Sequence, residues 1–456
     1  MEHLIVELSK YLMILLFACY TFTCYHALNG RKSQRRLKRT LRKQAKLIFL
    51  IHLNAFAVIF AVQKTTNVRI TYAMQAALLG CILVIYKYIY KRASGLVVNN
   101  MCMLLAVGFV ILYRLHPDKA VRQYEIAVAA VVITMIIPFF IHKIHFLDRL
   151  TWLYAVVGIG SLAAVAVLGS VSYGARLSFQ IAGIAIQPSE FVKILFVFFT
   201  ASMLAQSTQF SQVCKATVVA AIHVLILVVS KDLGAALIFF MTYLVMLYVA
   251  TRRPIYLISG LLCGSAASVV AYKLFRHVRV RVTAWKDPLS VIHDEGYQVC
   301  QSLFAIGTGG WFGMGLYQGM PNKIPIVEED FVFAAISEEL GGIFAVCLIM
   351  VCASCYLMFL NIAMQMHDLF YKLIALGLGT VYGFQVFLTV GGVTKFIPST
   401  GVTLPLISYG GSSLLGTFII FAVIQGLYIL REAEEAEEIK PEEESFRNQK
   451  NWRSKG

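Results

Sequence analysis

The stretch VCKATVVAAIHVLILVVSKDLGAALIFFMTYLVMLYVA, residues 213–250, is almost continuously apolar over 38 residues. A helix crosses the ~30 Å hydrocarbon core of a membrane with about 20 residues, so this stretch is too long for a single span. The polar tripeptide Ser230-Lys231-Asp232 divides it near the middle. The sequence therefore predicts two membrane-spanning helices joined by a short turn.

Apolar runs of similar length recur along the 456 residues, of which 59% are hydrophobic and 14% charged, with a mean hydropathy of +0.74. This composition excludes a soluble globular chain and predicts an all-α polytopic membrane protein. The thirteen predicted spans are 4–27, 46–63, 71–90, 98–114, 122–141, 152–170, 190–206, 213–229, 232–250, 254–274, 331–360, 367–390 and 405–430.

Lysine and arginine positions predict the orientation. The segment RKSQRRLKRTLRKQAK (31–46) holds nine basic residues and is expected in the cytoplasm, against anionic membrane lipids. The N-terminus then lies outside and the C-terminus inside, with 17 basic residues in short inner loops and about eight in short outer ones. Because the net charge of +16 is mostly a topology signal and no folded basic domain is left over, we expect no nucleic-acid partner.

The longest loop, residues 275–330, is predicted to lie outside although it is basic. Arg279 and Arg281 in this loop offer planar guanidinium groups that suit phosphate oxygens, so they are candidates for an anion site. A solvated basic loop without a ligand is the alternative, since loops of this length escape the positive-inside rule. The ten cysteines show no metal-ligand spacing.

Acidic residues cluster in VEEDFVFAAISEELGG, residues 327–342, in otherwise apolar surroundings. Asp330 is the last acid before the apolar helix, and Glu328 and Glu329 are expected to support the helix start and its dipole. Glu338 lies about 80° from Asp330 around a helix, so the two are predicted to border one cavity. Glu339 points further round the helix.

Three other groups of polar residues lie at span ends, where ionisable side chains suggest function. Glu190 and Lys193 are spaced to pair on one helix face, as a site or as a structural ion pair. Asp232 is a candidate site residue or a simple helix N-cap. Lys395 and the turn 399–413, with Ser408 and Ser412, offer polar groups to a cavity or pack helices through small residues.

Several ordered motifs resemble those of the SEDS family (shape, elongation, division and sporulation proteins). They are GARLSFQIAGIAIQPSEFVK (174–193), DLGAAL (232–237), GYQVCQSLFAIGTGGWFGMGL (296–316), EEDFVFAAISEELG (328–341) and IPSTGVTLPLISYGGSSLL (397–415). The departures are Lys231, Leu177 and Thr389, where the family usually has Pro, Trp and Asn. These differences affect fine specificity and leave the family resemblance intact.

The resemblance implies a ten-helix core at residues 95–431, preceded at 1–94 by about three extra spans and followed by an acidic cytoplasmic tail at 432–456. It also implies a peptidoglycan glycosyltransferase that polymerises lipid II at the outer face of the bacterial cytoplasmic membrane, in cell elongation, division or sporulation. The implied partner is a class B penicillin-binding protein. The implied catalytic residue is Asp330. The candidate substrate-binding residues are Arg176, Glu190, Lys193, Asp232, Arg279, Arg281, Gln301, Glu338, Lys395, Ser408 and Ser412.

The chemistry of this reaction agrees with the residues. An α-linked undecaprenyl-pyrophosphate donor that gives a β-1,4 bond needs one inverting displacement and one base for the acceptor hydroxyl, a role for Asp330. Glu328 and Glu329 are expected to raise the pKa of Asp330. The leaving pyrophosphate needs cations, either basic side chains or a divalent ion (Mg²⁺ or Mn²⁺), the single candidate cofactor. A lipid II flippase and a scaffold for the penicillin-binding protein are the alternative functions.

Overall fold

The computed structural model describes residues 2–28, 34–144, 146–172, 175–181 and 184–453. Within these ranges the chain forms sixteen α-helices and three short β-strands. The helices are α1 Glu2–Leu28, α2 Gln34–Gln63, α3 Thr66–Tyr88, α4 Gly95–Leu115, α5 Pro117–Thr134, α6 Ile137–Lys143, α7 Thr151–Leu168, α8 Ser189–Gln206, α9 Phe210–Val229, α10 Leu233–Thr251, α11 Pro254–Leu274, α12 Arg276–Lys286, α13 Tyr297–Gly309, α14 Val332–Gln365, α15 Leu369–Val393 and α16 Gly411–Arg453. The strands are β1 Ser170–Ser172, β2 Ala175–Ile181 and β3 Ile184–Ile186.

Thirteen of the described helices are long and apolar enough to cross a membrane, which confirms the predicted number. The division of 213–250 is confirmed as well, because α9 ends at Val229 and α10 begins at Leu233. Between them Lys231 adopts a left-handed backbone with φ 65°, which reverses the chain within three residues. Helices α5 and α6 together make one span, Pro117–Ile141, and α12 and α13 lie within the long loop.

The helices differ in how deeply they lie in the bundle. In α4, 94% of the most apolar window is buried inside the protein, whereas in α11 none of it is. Helix α4 is therefore the centre of the bundle, and α11 lies at its edge with apolar side chains such as Leu262 exposed. In a membrane these exposed apolar side chains face lipid rather than water.

The connection between α7 and α8 contains a β-element that the sequence analysis missed. Strand β2 pairs antiparallel with β1, with Ser170 opposite Ser178, and with β3, with Phe179 opposite Ile186. Residues 176–181 alternate polar and apolar side chains, which is the period of a half-buried strand. That alternation is the local signal for this element, and the fold is otherwise all-α as predicted.

Buried polar contacts join α1 and α2 to α4, and α4 to α14. Tyr20 on α1 donates a hydrogen bond to Asn100 on α4 at 2.9 Å, and Asn100 donates to Ser354 on α14 at 3.0 Å. On α2, Gln44 accepts from Asn99 at 3.0 Å. Because buried amides are costly to leave unpaired, these bonds fix the positions of α1 and α2 against α4.

Candidate functional site

Asp330 lies where α14 begins, facing a gap that it shares with Arg281 of α12. Arg281 donates from Nη1 to the carbonyl oxygen of Thr400 at 3.0 Å. A Cβ atom added at Gly401 would lie 3.4 Å from Oδ2 of Asp330 and 3.7 Å from Nη2 of Arg281. The carboxylate and the guanidinium group therefore line one gap against the backbone of the turn 399–402. Asp330 and Arg281 are both partly exposed.

The environment of Asp330 favours its protonated form. The pKa of Asp330 is raised to about 6, mainly by burial, while the charge of Arg281 lowers it and that of Glu328 raises it. The prediction that Glu328 raises the pKa of Asp330 is confirmed, although burial is the larger cause, and the predicted effect of Glu329 stays a prediction. Burial and the charge of Asp330 also raise the pKa of Glu329 to about 7. Two adjacent carboxyl groups thus titrate close to neutral pH, a property common at catalytic sites.

Glu328 and Glu329 do not cap α14, contrary to the prediction that they support the helix start. The N-cap residue of this helix is Phe331, and no side chain caps it. The carboxylate of Glu328 instead forms an ion pair with Lys119 on α5. Its Oε2 also lies 3.6 Å from Nε2 of His116. Burial is the largest single influence and opposes ionisation of Glu328. The hydrogen bond and charge of Lys119, a backbone hydrogen bond and His116 together outweigh it, so the pKa of Glu328 lies below its usual value.

The turn before α16 is joined to the acidic turn by backbone contacts. Tyr409 donates its backbone N–H to the carbonyl oxygen of Glu328 at 2.7 Å, and the hydroxyl of Ser408 donates to that of Glu329. Ser408 also accepts from the backbone of Leu404 at 2.9 Å and is only 4% exposed. The side chain of Ser408 therefore holds the two turns together, and its role at the substrate stays a prediction.

Ser412 and Lys395 are likewise involved in contacts between segments. Ser412 accepts a hydrogen bond from the backbone N–H of Gln187 at 2.9 Å, which joins the start of α16 to the segment before α8. The carbonyl oxygen of Lys395 accepts from Nε1 of Trp285 on α12 at 3.1 Å. Through this contact the turn after α15 fixes the helix that carries Arg281.

The predicted pairing of Glu190 with Lys193 is confirmed, with Nζ 2.7 Å from Oε2 at the start of α8. Lys193 also donates to Gln385 on α15 at 2.9 Å. The N-cap interpretation of Asp232 is confirmed, since its side chain accepts from the backbone of Ala235 at 3.1 Å. Asp232 also accepts from Ser189 at 3.1 Å, so the starts of α8 and α10 are tied together.

The side chain of Glu338 contacts the loop before α14, and the cavity that it was predicted to share with Asp330 stays a prediction. Glu338 is 6% exposed, and its Oε1 accepts from the backbone N–H of Met320 at 2.9 Å. A cleft of about 330 Å³ does lie beside the acidic turn, but its described lining comes from other residues. These are His116, Lys119, Asn322, Ile324, Pro325, Ile326, Val327, Glu328 and Glu329.

The remaining predicted site residues lie on α12, on α13 and in β2. Arg279 is exposed on α12, and Gln301 is half-buried on α13. Arg176 lies in β2 opposite Val171, but its side chain is outside the described residues. In the part of the chain that the structure describes, no three His, Cys, Asp or Glu side chains are grouped to hold a metal ion, so the divalent cation stays a prediction.

Sequence reasoning missed the cations that meet the acidic residues, Lys119 and Arg114. Arg114 at the end of α4 donates from Nε to Oε1 of Glu339 at 2.8 Å. Both residues lie in short loops or span ends on the predicted outer side, where the positive-inside rule disfavours basic residues. Their presence against that rule is the signal that would have marked them.

The family model described as cell cycle protein, FtsW/RodA/SpoVE, matches residues 94–432. The chain belongs to this family. A peptidoglycan glycosyltransferase RodA of Mycobacterium tuberculosis (strain ATCC 25618 / H37Rv) is 36% identical over 355 residues, covering 71% of this chain and 75% of the relative. Stage V sporulation protein E of Bacillus subtilis (strain 168) is 33% identical over 307 residues, covering 64% of this chain and 82% of the relative.

Solved structures agree with the fold of this FtsW/RodA/SpoVE family member. A chain described under "Structural coordination of polymerization and crosslinking by a peptidoglycan synthase complex" covers 75% of this chain and 98% of its own length, with a TM-score of 0.62 and 24% identity. RodA of Thermus thermophilus covers 74% of this chain and 96% of its own length, with a TM-score of 0.53 and 24% identity. The multi-pass membrane architecture is thus that of the family, as the sequence motifs predicted.

Proposed function

We propose that Asp330 and Arg281 carry out glycosyl transfer in this family member. The chain is a peptidoglycan glycosyltransferase of the cytoplasmic membrane, in keeping with the names of its curated relatives. Its substrates are an undecaprenyl-pyrophosphate-linked glycan, as donor, and lipid II, as acceptor. The observation that carries the assignment of residues is the gap at Gly401, which a carboxylate and a guanidinium group share.

The reaction is one displacement with inversion at the anomeric carbon of the donor. The 4-hydroxyl oxygen of lipid II forms the new β-1,4 bond to this carbon, while the bond from the carbon to the pyrophosphate oxygen breaks. Asp330 takes the hydroxyl proton, and undecaprenyl pyrophosphate leaves with the electron pair. The raised pKa of Asp330 makes it a stronger base than an exposed aspartate, which suits proton transfer near neutral pH.

Arg281 stabilises the charge that develops on the leaving pyrophosphate. A guanidinium group already fixed by the Thr400 carbonyl needs little reorganisation when that charge appears. Its charge also favours the ionised form of Asp330. In the same displacement Asp330 acts on the acceptor hydroxyl and Arg281 on the leaving pyrophosphate of the donor. Arg176, Lys193 and Arg279 stay further candidates for the pyrophosphate and the lipid-linked glycan.

The site end of the bundle faces the outside of the cell in this proposal, with the N-terminus outside and the acidic tail in the cytoplasm. The basic segment 31–46 supports this orientation. A class B penicillin-binding protein is the proposed partner that crosslinks the product. A solved fold neighbour from a peptidoglycan synthase complex that couples polymerization and crosslinking is consistent with such an assembly.

The flippase alternative is not favoured. Curated relatives at 33–36% identity carry glycosyltransferase or sporulation names. A transporter typically binds its substrate near the bilayer midplane between repeated halves. Here the titrating acids Glu329 and Asp330 gather at the end of the bundle, just before α14.

The test uses the purified full-length chain, alone and with its penicillin-binding protein, supplied with lipid II in detergent. The wild-type chain is expected to form glycan polymer and the Asp330→Asn variant to lose it by at least ~100-fold, since the base is removed with little change in shape. Arg276→Gln, an exposed change at the start of α12, serves as the folding control. Wild-type polymerisation by Asp330→Asn would remove Asp330 as base, and scrambling of labelled lipid II in liposomes without polymer would reject the polymerase.

A further inference from the structure

The N-terminal helices α1–α3 have no part in the reaction proposed above, and the family model match begins only at residue 94. Even so, α1 and α2 contact a loop on the same side of the bundle as Asp330. This loop, residues 310–320, follows α13 and contains Gly310, Gly313, Gly315 and Gly319. We call it the glycine-rich loop.

Helix α14 is broken at Gly341, whose φ of 89° and ψ of 165° are not helical. The break separates a short helix, residues 332–340, from the long remainder of the span. Asp330 lies just before the short helix, and Glu338 and Glu339 lie at its other end. At 1.5 Å per residue the distance from residue 330 to residue 339 is about 13 Å, so a small rotation of the short helix at Gly341 moves the Asp330 carboxylate.

The glycine-rich loop supplies the backbone partners that the break leaves free. Met314 donates to the carbonyl oxygen of Glu338 at 2.9 Å, and Gly315 donates to that of Glu339 at 2.8 Å. On the other side of the break, Gly342 donates to the carbonyl oxygen of Gly310 at 2.8 Å. The last carbonyl groups and the first N–H groups of a helix have no partner within that helix. The glycine-rich loop supplies these partners and so caps both the short helix and the remainder of α14.

The side chains of the two glutamates at the end of the short helix accept hydrogen bonds from the backbone of the same loop. Glu338 accepts from the backbone N–H of Met320 at 2.9 Å, and Glu339 accepts from that of Tyr317 at 3.2 Å. Arg114 pairs with Glu339 and lies over the ring of Tyr317, 4.4 Å from its centroid. The direction of the short helix is therefore set by where the glycine-rich loop is held.

Side chains of α1 and α2 hold that loop from the opposite side. Gln63, the last residue of α2, donates to the hydroxyl of Tyr317 at 2.6 Å. Lys10 of α1, only 9% exposed, donates to the carbonyl oxygen of Gly313 at 3.4 Å. The rings of Tyr11 and Phe312 lie 5.7 Å apart. The N-terminal helices thus reach the loop through two hydrogen bonds and an aromatic contact.

We propose that α1 and α2 are positioning elements of the enzyme: through the glycine-rich loop they fix the short helix 332–340 and so hold Asp330 against the acceptor hydroxyl. The proposal rests on the proposed function for its kinetic consequence. Lys10 and Gln63 touch neither substrate nor Asp330, so they act through the loop and not on the reacting atoms. Their loss should lower kcat more than it raises KM, since it misplaces the base without removing a substrate contact.

The experiment compares full-length protein in nanodiscs with the double variant Lys10→Met/Gln63→Leu. Hydrogen exchange at the backbone N–H groups of Met314, Gly315 and Gly342 reports directly on the hydrogen bonds between the glycine-rich loop and α14. This exchange is expected to become faster by about tenfold or more in the variant. With lipid II as substrate, kcat is expected to fall by about tenfold or more while KM stays within about twofold. Tyr317→Phe, which removes the acceptor of Gln63 from the loop side, should change exchange and kcat in the same direction.

The matched control is Asn54→Leu, which deletes a hydrogen bond of 2.9 Å to Ser9 between α2 and α1 and leaves the loop contacts in place. It should leave loop exchange and kcat near wild type, and Lys10→Arg/Gln63→Glu should restore both because each new side chain can still bond the loop. Unchanged loop exchange in Lys10→Met/Gln63→Leu, or an equal effect of Asn54→Leu, overturns the proposal. If the wild-type chain makes no polymer, the proposed function fails, and hydrogen exchange alone then decides the positioning.

Discussion

Glu339 and Arg114 form an ion pair inside the helix bundle, with Oε1 2.8 Å from Nε and 2.7 Å from Nη2. The side chain of Glu339 is 0% exposed and that of Arg114 10%. The pair joins the centre of the bundle, α4, to the short helix that follows Asp330. Removing both charges from water costs free energy, which their mutual attraction offsets. Loss of one partner therefore leaves the other as an uncompensated buried charge.

Breaking this pair should destabilise the fold strongly. Arg114→Met leaves the carboxylate of Glu339 buried without its cation, so the free energy of unfolding is expected to fall by about 3–5 kcal/mol. Thermal unfolding in detergent measures the change. The double variant Arg114→Met/Glu339→Leu should recover much of the loss, since no charge then stays unpaired. A single variant as stable as wild type would contradict the buried pair.

Arg281 and Arg276, two of the three arginines of α12, should differ in their effect on activity. Arg281→Met removes the guanidinium group that faces the Asp330 gap, and polymerisation of lipid II is expected to fall by about 10²–10³-fold in kcat, as for loss of a transition-state charge partner. Arg276→Met, an exposed change on the same helix, should stay within about threefold of wild type. Equal losses in both variants would instead indicate a general basic surface.

The rate should depend on the ionisation of Asp330. A base must be deprotonated, and the pKa of Asp330 is raised by burial to about 6, so kcat/KM is expected to fall about tenfold per pH unit below that value. Arg281→Met should move this limb to higher pH, because it removes the charge that favours the carboxylate. Glu328→Gln should move it to lower pH, because it removes a negative neighbour. A limb that stays fixed in both variants belongs to another group.

The same shift has the opposite consequence for stability. The pKa of Asp330 is raised from 3.8 to about 6, so the folded protein binds this proton more tightly than the unfolded chain does. The contribution of Asp330 is fully present below pH 3.8 and is lost as the pH rises through about 6. Unfolding of Asp330→Asn followed between pH 4 and 7 should therefore lack this component of the wild-type profile. Parallel profiles would contradict a raised pKa.

The ion pair at the start of α8 should respond unequally to removal of its two members. Lys193 is 4% exposed and Glu190 14%, so the lysine is the more costly charge to leave alone. Glu190→Gln is expected to lower the free energy of unfolding by about 3–5 kcal/mol, and Lys193→Met by less. Unfolding of both single variants and the double variant measures the coupling, and a coupling near zero would contradict the pair.

Crossing of the glycine-rich loop over the break in α14 should require Gly313. Its φ is +77°, and an added Cβ would lie 2.4 Å from the carbonyl oxygen of Glu339. Gly313→Ala should cost at least ~1–3 kcal/mol, since both the backbone and its neighbour must shift. Gly307→Ala on α13 is the matched control, because nothing lies within 4 Å of its added Cβ. Similar unfolding temperatures for the two variants would contradict the close crossing.

Sequence-local features were predicted well. The thirteen spans, the turn at 230–232, the N-cap role of Asp232 and the pairing of Glu190 with Lys193 all depend on residues within one helix or one turn. The family motifs identified the chain's family because they are ordered strings of residues. Hydropathy and helix periodicity depend on about 20 neighbouring residues, so they can be recognised from the sequence alone.

Tertiary packing decided how the acidic stretch is used. Sequence alone grouped Glu328, Glu338 and Glu339 with Asp330, yet the fold gives Glu328 to Lys119, Glu338 to Met320 and Glu339 to Arg114. It also set Arg281, 49 residues before Asp330 in the chain, across the same gap at Gly401. Such partners come from segments that only packing brings together. A buried charge is costly unless it is paired, and packing determines which side chain lies beside it. The sequence therefore determined the spans and the chemistry available at Asp330, while the tertiary structure decided which charges surround it.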